Sequence, residues 1–236
     1  MKMIPFSNPD ITEKDIESVA DVIRSGWLTH GNYSNLLEDL FCQFTGAKFA
    51  TTVSNCTAGL HLSCLAAGFS NNDEVIVPAQ THVATAHAIE YTGAKPIFVD
   101  VKDDQNIDES LIEKKITKKT KAIMPVHLTG RMCSMDKIMN ISKKYRIPVI
   151  EDGAQSILSK YKGKMSGSWG DIGCFSTHPL KNLNASGDGG FLTTNNKKIY
   201  QAAKNLRSHG MEEDRNNVKN FGYVSRMDNL QAKILN

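Results

Sequence analysis

Apolar positions along the chain switch between two periods. Ile16, Val19, Ala20 and Ile23 recur at helical spacing behind a capping residue, Thr12, and stop at Gly26. Leu37, Leu40, Phe41 and Phe44 form a second stripe that ends at Gly46. Short β-branched or apolar runs then predict strands over 48–53, 74–78, 96–101, 121–126, 147–151, 172–176 and 190–194. Helical stretches near 57–67, 81–91, 108–116 and 134–145 separate many of them, a pattern that reads as crossover units around a largely parallel sheet. Met227, Leu230, Ile234 and Leu235 begin a last helical stripe within which the sequence stops, so a truncated chain is expected.

Composition narrows this picture. The chain has 236 residues, 40% of them hydrophobic, and 28 Lys plus Arg against 25 Asp plus Glu. These values exclude a disordered tail, a collagen-like fibre and a disulfide-rich miniprotein. A net charge of +3 gives no push toward nucleic acid or an anionic membrane, and neither is expected as a partner. The Lys-rich stretch 114–121 has no interleaved aromatics and reads as a solvated turn. No apolar run approaches the roughly 20 residues of a bilayer span, and the first residues lack the apolar core of a signal peptide. The five cysteines, without a CxxC pair, fit reduced thiols in a cytoplasm. No histidine spacing points to a metal.

Four segments can carry chemistry. Asp152 follows the apolar strand 147–151, where open parallel sheets collect ligands; it suits a cationic ring nitrogen, and it equally suits a turn or helix cap. Gln155, one helical turn on, would face the same ligand. Lys181 lies in a loop after the strand that ends at Ser176; it is either a solvated lysine or the amine of a Schiff base, and Ser176 could bond a phosphate oxygen. Segment 54–58, Ser-Asn-Cys-Thr-Ala, joins a strand to a helix, where free N–H groups and the Thr57 hydroxyl make either an anion site or a plain N-cap. The glycines at 187, 189 and 190 do not spell GxGxxG and read as a turn entering a strand. The polar stretch 211–220 reads as a surface or active-site loop.

In order and spacing these pieces resemble the pyridoxal-phosphate-dependent nucleotide-sugar aminotransferases, the DegT/StrS-type family of the fold-type I aminotransferase superfamily. The resemblance runs from Ile4-Pro5-Phe6 to the last residue. It is most specific in Val149-Ile150-Glu151-Asp152-Gly153-Ala154-Gln155, in 175–182 and in Gly187-Asp188-Gly189-Gly190. It implies a three-layer αβα domain over 26–236 with a mostly parallel seven-stranded sheet, a segment 1–25 that packs with a small C-terminal domain, and the absence of that small domain here.

The resemblance also implies roles. Lys181 would bind pyridoxal phosphate as a Schiff base, and Asp152 would keep its pyridine nitrogen protonated. Gln155 would contact its phenolic oxygen, and Thr57, the Cys56 amide and Ser176 would hold its phosphate. His82 would stack on the ring, while Thr29 and Asn182 would lie near substrate. Cys56 stands where relatives usually have glycine, and is tolerable only if φ there is negative. Val224 stands where many have an asparagine that reaches the partner subunit's cofactor. The reaction implied is transfer of an amino group, with glutamate as donor, to a keto sugar nucleotide in amino-sugar or surface-polysaccharide synthesis, by a cytoplasmic homodimer with shared active sites. Alternatives are a cofactor-dependent sugar dehydratase, against which the retained Lys181 counts, and a non-catalytic homologue or inactive fragment.

Overall fold

The computed structural model describes residues 3–5, 8–212 and 216–236. Phe6 of the N-terminal motif and 213–215 of the polar stretch lie outside the described residues. Helix α1 (Glu13–Ser25) starts at Thr12, whose side chain accepts the Asp15 N–H while Asp15 accepts the Thr12 N–H, a complete capping box. Gly26 ends it in the left-handed conformation at φ 72°. Helix α2 (Asn32–Thr45) ends the same way at Gly46.

Strands β1 (Phe49–Val53), β2 (Glu74–Pro78), β3 (Lys95–Val99), β4 (Thr120–Ile123) and β5 (Ile150–Asp152) follow, interleaved with helices. These helices are α3 (Cys56–Ala66), α4 (Val83–Glu90), the short α5 (Glu109–Ile112) and α6 (Met135–Tyr145). A small hairpin, β6 (Lys160–Tyr161) and β7 (Lys164–Met165), precedes β8 (Ile172–Ser176) and β9 (Gly190–Thr194). Helices α7 (Lys197–Leu206) and α8 (Asn229–Leu235) complete the described elements.

Strands β3-β2-β4 and β5-β8-β9-β1 form two ladders, joined by parallel bridges from Ile123 to Val149 and from Val126 to Asp152. The result is one seven-stranded surface in the order β3-β2-β4-β5-β8-β9-β1, in which only β9 runs against its neighbours. Alternate residues of each strand enter different cores. Val75, Val77, Ile150, Cys174 and Leu192 pack with Leu60 and Leu62 of α3, Ile89 of α4 and Ala203 of α7. Ile76, Ile123 and Val149 meet Ile138 and Ile141 of α6, while Phe175 and Phe191 meet Leu37 and Phe41 of α2. Helices therefore cover both faces, the three layers expected, and strands buried on both faces read as continuous apolar runs.

Three expectations need correction. Residues 108–116 form one turn of α5 and a 3₁₀ turn over Glu113–Lys115, because Ile116 leaves helical geometry before the polar turn into β4. Helix α7 and the β6–β7 hairpin lie where no element is expected. The chain after Asp152 does not continue as a helix: 153–159 is a succession of turns closed by Ser156 N–H to Gly153 O and Ser159 N–H to Ser156 O. Among the described residues no helix is long and apolar enough to cross a membrane.

Candidate active site at the carboxyl edge of the sheet

A cleft of about 620 Å³ opens beyond the carboxyl ends of β1, β2, β5 and β8, where diverging connections leave room. Its walls hold Asn55, Cys56 and Thr57 at the start of α3, His82 before α4, Asp152 at the end of β5, and Ser176, His178 and Lys181 after β8. Six of the nine site residues expected from the sequence thus converge on one space.

The start of α3 is shaped by two features. Asn55 caps it, accepting the Ala58 N–H at 2.8 Å. This leaves the Cys56 and Thr57 N–H groups, which have no acceptor one turn back, beside the cleft. Gly190 opens β9 directly beneath: a Cβ there would stand 2.6 Å from the Phe175 oxygen and 2.8 Å from the Cys56 nitrogen. Only glycine lets the three backbones approach. Cys56 itself lies in the helix, outside the left-handed region, so cysteine in place of glycine puts no strain on this turn.

Asp152 is buried at 4% exposure, yet each of its oxygens has a donor. The Thr85 hydroxyl of α4 donates to Oδ2 at 2.8 Å and the Ala154 N–H donates to Oδ1 at 3.1 Å. Burial pushes its proton affinity up; the Thr85 and Ala154 bonds and the charge of Lys181 pull it back, without cancelling the rise. Ser176 accepts the His178 N–H at 3.3 Å on Oγ, which leaves its hydroxyl proton for the cleft. His82 and His178 are pinned alike: each accepts on Nδ1 the N–H two residues on, from Ala84 at 3.2 Å and Leu180 at 3.1 Å. Neutral imidazoles so held carry their proton on Nε2.

The other three expected residues lie elsewhere. Gln155 sits in the turn after Asp152, not one helical turn from it, and its Oε1 accepts the Thr129 N–H at 2.7 Å. Asn182 donates to the Ile157 carbonyl at 3.1 Å beside a separate apolar hollow. Thr29 is exposed in the loop that leads into α2. Conversely, Thr85 touches Asp152 from 67 residues away, and no local pattern marks it. His178 and Asp188 also line the cleft, and their only sequence signal is the neighbourhood of Lys181 and the glycine turn.

Comparison with known proteins agrees in sequence and in shape. The pattern of the DegT/DnrJ/EryC1/StrS aminotransferase family matches residues 9–236. The chain belongs to this family. Among relatives, the GDP-perosamine synthase of Escherichia coli O157:H7 is 44% identical over 237 residues, which cover 99% of this chain and 65% of that protein. The aminotransferase from Psychrobacter cryohalolentis superposes with a TM-score of 0.94 at 32% identity, covering 98% of this chain and 62% of its own. NtdA from Bacillus subtilis, solved with bound cofactor PMP, gives 0.91 at 34% identity over 99% and 55%. The chain therefore spans between 55% and 65% of the length of these family members.

Proposed function

We propose that this chain carries the cofactor site of a pyridoxal-phosphate-dependent aminotransferase that aminates a keto sugar linked to a nucleotide, with glutamate as amino donor. The observation that carries the reading is a buried carboxylate, Asp152, in one cleft with a lysine amine and an uncovered helix start. The bound cofactor of NtdA and the nucleotide-sugar name of the E. coli relative support cofactor and substrate class.

The donor set fits each distinct end of pyridoxal phosphate. The phosphate suits the α3 N–H groups, the Thr57 hydroxyl and Ser176; a protonated pyridine nitrogen suits Asp152; the aldehyde suits Lys181; and an imidazole, His82, is available for the ring face. When bound, the cofactor supplies an aldehyde that condenses with primary amines and a ring that accepts the electron pair left when the adjacent C–H bond breaks. Lys181 would hold it through Nζ between turnovers. Once released, the same Nζ would take the proton leaving the donor's α-carbon, and in the second half-reaction would deliver one to the sugar carbon that gains nitrogen. Asp152 would hold the ring nitrogen's proton throughout, which its fixed and ionisable carboxylate is suited to do.

In this reading 26–236 is the large domain, 1–25 packs toward a small domain, and two protomers share their sites in the cytoplasm. Exposed Tyr91 and Tyr223, which both pack edge-on against His61, would give the second protomer apolar surface to cover. Val224 cannot donate a side-chain hydrogen bond, so any phosphate contact across that dimer falls to other groups. Gln155 and Asn182 each spend one end of the amide on the chain, Oε1 on the Thr129 N–H and Nδ2 on the Ile157 carbonyl, and would keep the other end for cofactor or substrate, as exposed Thr29 would its hydroxyl.

The test is Lys181→Ala in the full chain. The visible absorbance band of lysine-bound cofactor should vanish, and turnover should fall by at least about a thousandfold. Survival of both would remove Lys181 from its role and the aminotransferase reading with it.

A further inference from the structure

A buried hydroxyl on a helix can bond back to the carbonyl four residues earlier. Thr45 does so, donating to Phe41 O at 2.6 Å, and Ser63 does so to Gly59 O at 2.7 Å. Thr85 of α4, fully buried, does not: its hydroxyl donates across the core to Asp152 Oδ2 at 2.8 Å. Residue 81 still matters to it, but through the side chain, because Thr81 Oγ1 lies 2.8 Å from Thr85 Oγ1. A hydroxyl has one proton. With that of Thr85 committed to the carboxylate, Thr81 must be the donor of the second bond. The bonds therefore run one way, from Thr81 to Thr85 to Asp152, from the residue beside His82 to the carboxylate.

We infer that Thr85 is a positioning residue for Asp152: with Thr81 behind it, its hydroxyl fixes the carboxylate plane and favours the ionised form that a cationic ring nitrogen requires. The inference rests on the pyridoxal phosphate reading above. Two donors on two oxygens leave Asp152 no rotamer freedom, and each donor stabilises the anion against the cost of burial. The charged and titratable groups around it are His127 after β4, Lys181 after β8, Cys174 in β8 and Cys56 at the start of α3, with His82, His178 and Asp188 on the walls of the same cleft. None of them replaces the Thr85 bond, since none donates to Asp152 Oδ2.

Thr85→Val, nearly the same shape, removes the donor. In the full chain, pyridoxal phosphate affinity followed by absorbance should fall about tenfold near neutral pH. Losing a bond to the charged form raises the proton affinity of Asp152, so the acid-side decline of affinity should move up by about one pH unit. Thr85→Ser should restore both, and Thr81→Val should move both in the same direction by a smaller factor, about threefold. A merely structural role would weaken affinity equally at all pH values, and that result would overturn the inference, as would a Thr85→Val protein equal to the parent. Should Thr85→Val not fold, Thr81→Val decides: a shifted acid limb supports the relay and an unshifted one sinks it. A parent protein that gives no cofactor band would instead count against the aminotransferase reading.

Discussion

Glu151 and Asp152 are neighbours on β5 and face opposite sides of the sheet. Glu151, at zero exposure, accepts four bonds: from the Gly167, Trp169 and Gly170 N–H groups at 2.9, 2.8 and 2.6 Å, and from His127 Nε2 at 2.9 Å. His127 accepts the Cys133 N–H on Nδ1, so its ring proton sits on Nε2 and points at the carboxylate. Every strong acceptor position of Glu151 is filled, and the loop 167–170 is bound to the strand. Asp152 accepts two bonds and borders an open cleft. Of two adjacent carboxylates, the saturated one holds the fold and the one with acceptor capacity left over can hold a ligand.

The largest effect that separates them is expected from Asp152→Asn. An amide keeps the shape but cannot hold a ring nitrogen protonated, and activity should fall by about a thousandfold. Stability should move much less. Folding raises the proton affinity of Asp152 by burial, so the carboxyl's contribution is fully present in acid and is lost as pH rises through the folded value. The Asn amide can keep its oxygen on the Ala154 N–H only if the Thr85 hydroxyl turns to accept from its nitrogen, so the cofactor-free variant should melt near the parent temperature at pH 8 and compare less well as pH falls. Scanning calorimetry at several pH values checks this, and a variant that melts well below the parent throughout would place Asp152 with Glu151.

Glu151→Gln reverses the pattern. The new amide presents N–H where three backbone N–H groups converge, leaving buried donors without an acceptor, at a cost of about 3 kcal/mol. For a chain of this size that is a loss of roughly 6–12 °C in melting temperature. Cofactor affinity of the protein that remains folded should change less than threefold, measured by titration below the transition. A large affinity loss at unchanged stability would mean that Glu151 acts on the site directly.

This contrast also marks what could be read from the sequence. The caps at Thr12, Gly26 and Gly46 were legible because a cap is settled within four residues. The strands were legible because burial on both faces writes an unbroken apolar run, as in β8, where all five residues are buried. Helix α7 carries a signal of its own in the sequence: Asn196 accepts the Lys198 and Ile199 N–H groups, and Ile199, Ala203 and Leu206 follow at helical spacing. The two-residue strands of the β6–β7 hairpin are too short to show a period. At the site, Asp152, Lys181, Ser176, Cys56, Thr57 and His82 could be found because each sits just past a strand or before a helix. The helical spacing from Asp152 to Gln155 does not hold, because turns replace a helix after β5. The four bonds of Glu151 and the Thr85 bond join residues 16 to 67 apart, and no window along the chain contains both partners.

Cys56 supplies the smallest expected effect and tests whether a residue can line the site without acting in it. Its thiol is buried, and burial first, then the charge of Asp152, pushes its pKa well above the ordinary thiol value despite Lys181 nearby. At neutral pH it is a protonated, poor nucleophile, and it does not compete with the lysine for an aldehyde. What the position offers a ligand is its backbone N–H, which any residue but proline provides. Cys56→Ala should therefore leave cofactor affinity and turnover within about twofold, while Cys56→Gly, at a first-turn helix position, should cost about 0.5–1 kcal/mol of stability with affinity again nearly unchanged. Titration and denaturant unfolding of the two variants measure these terms separately. A tenfold loss of affinity in the alanine variant would make the sulfur itself part of the ligand's surroundings and would move Cys56 to the same side of the comparison as Asp152.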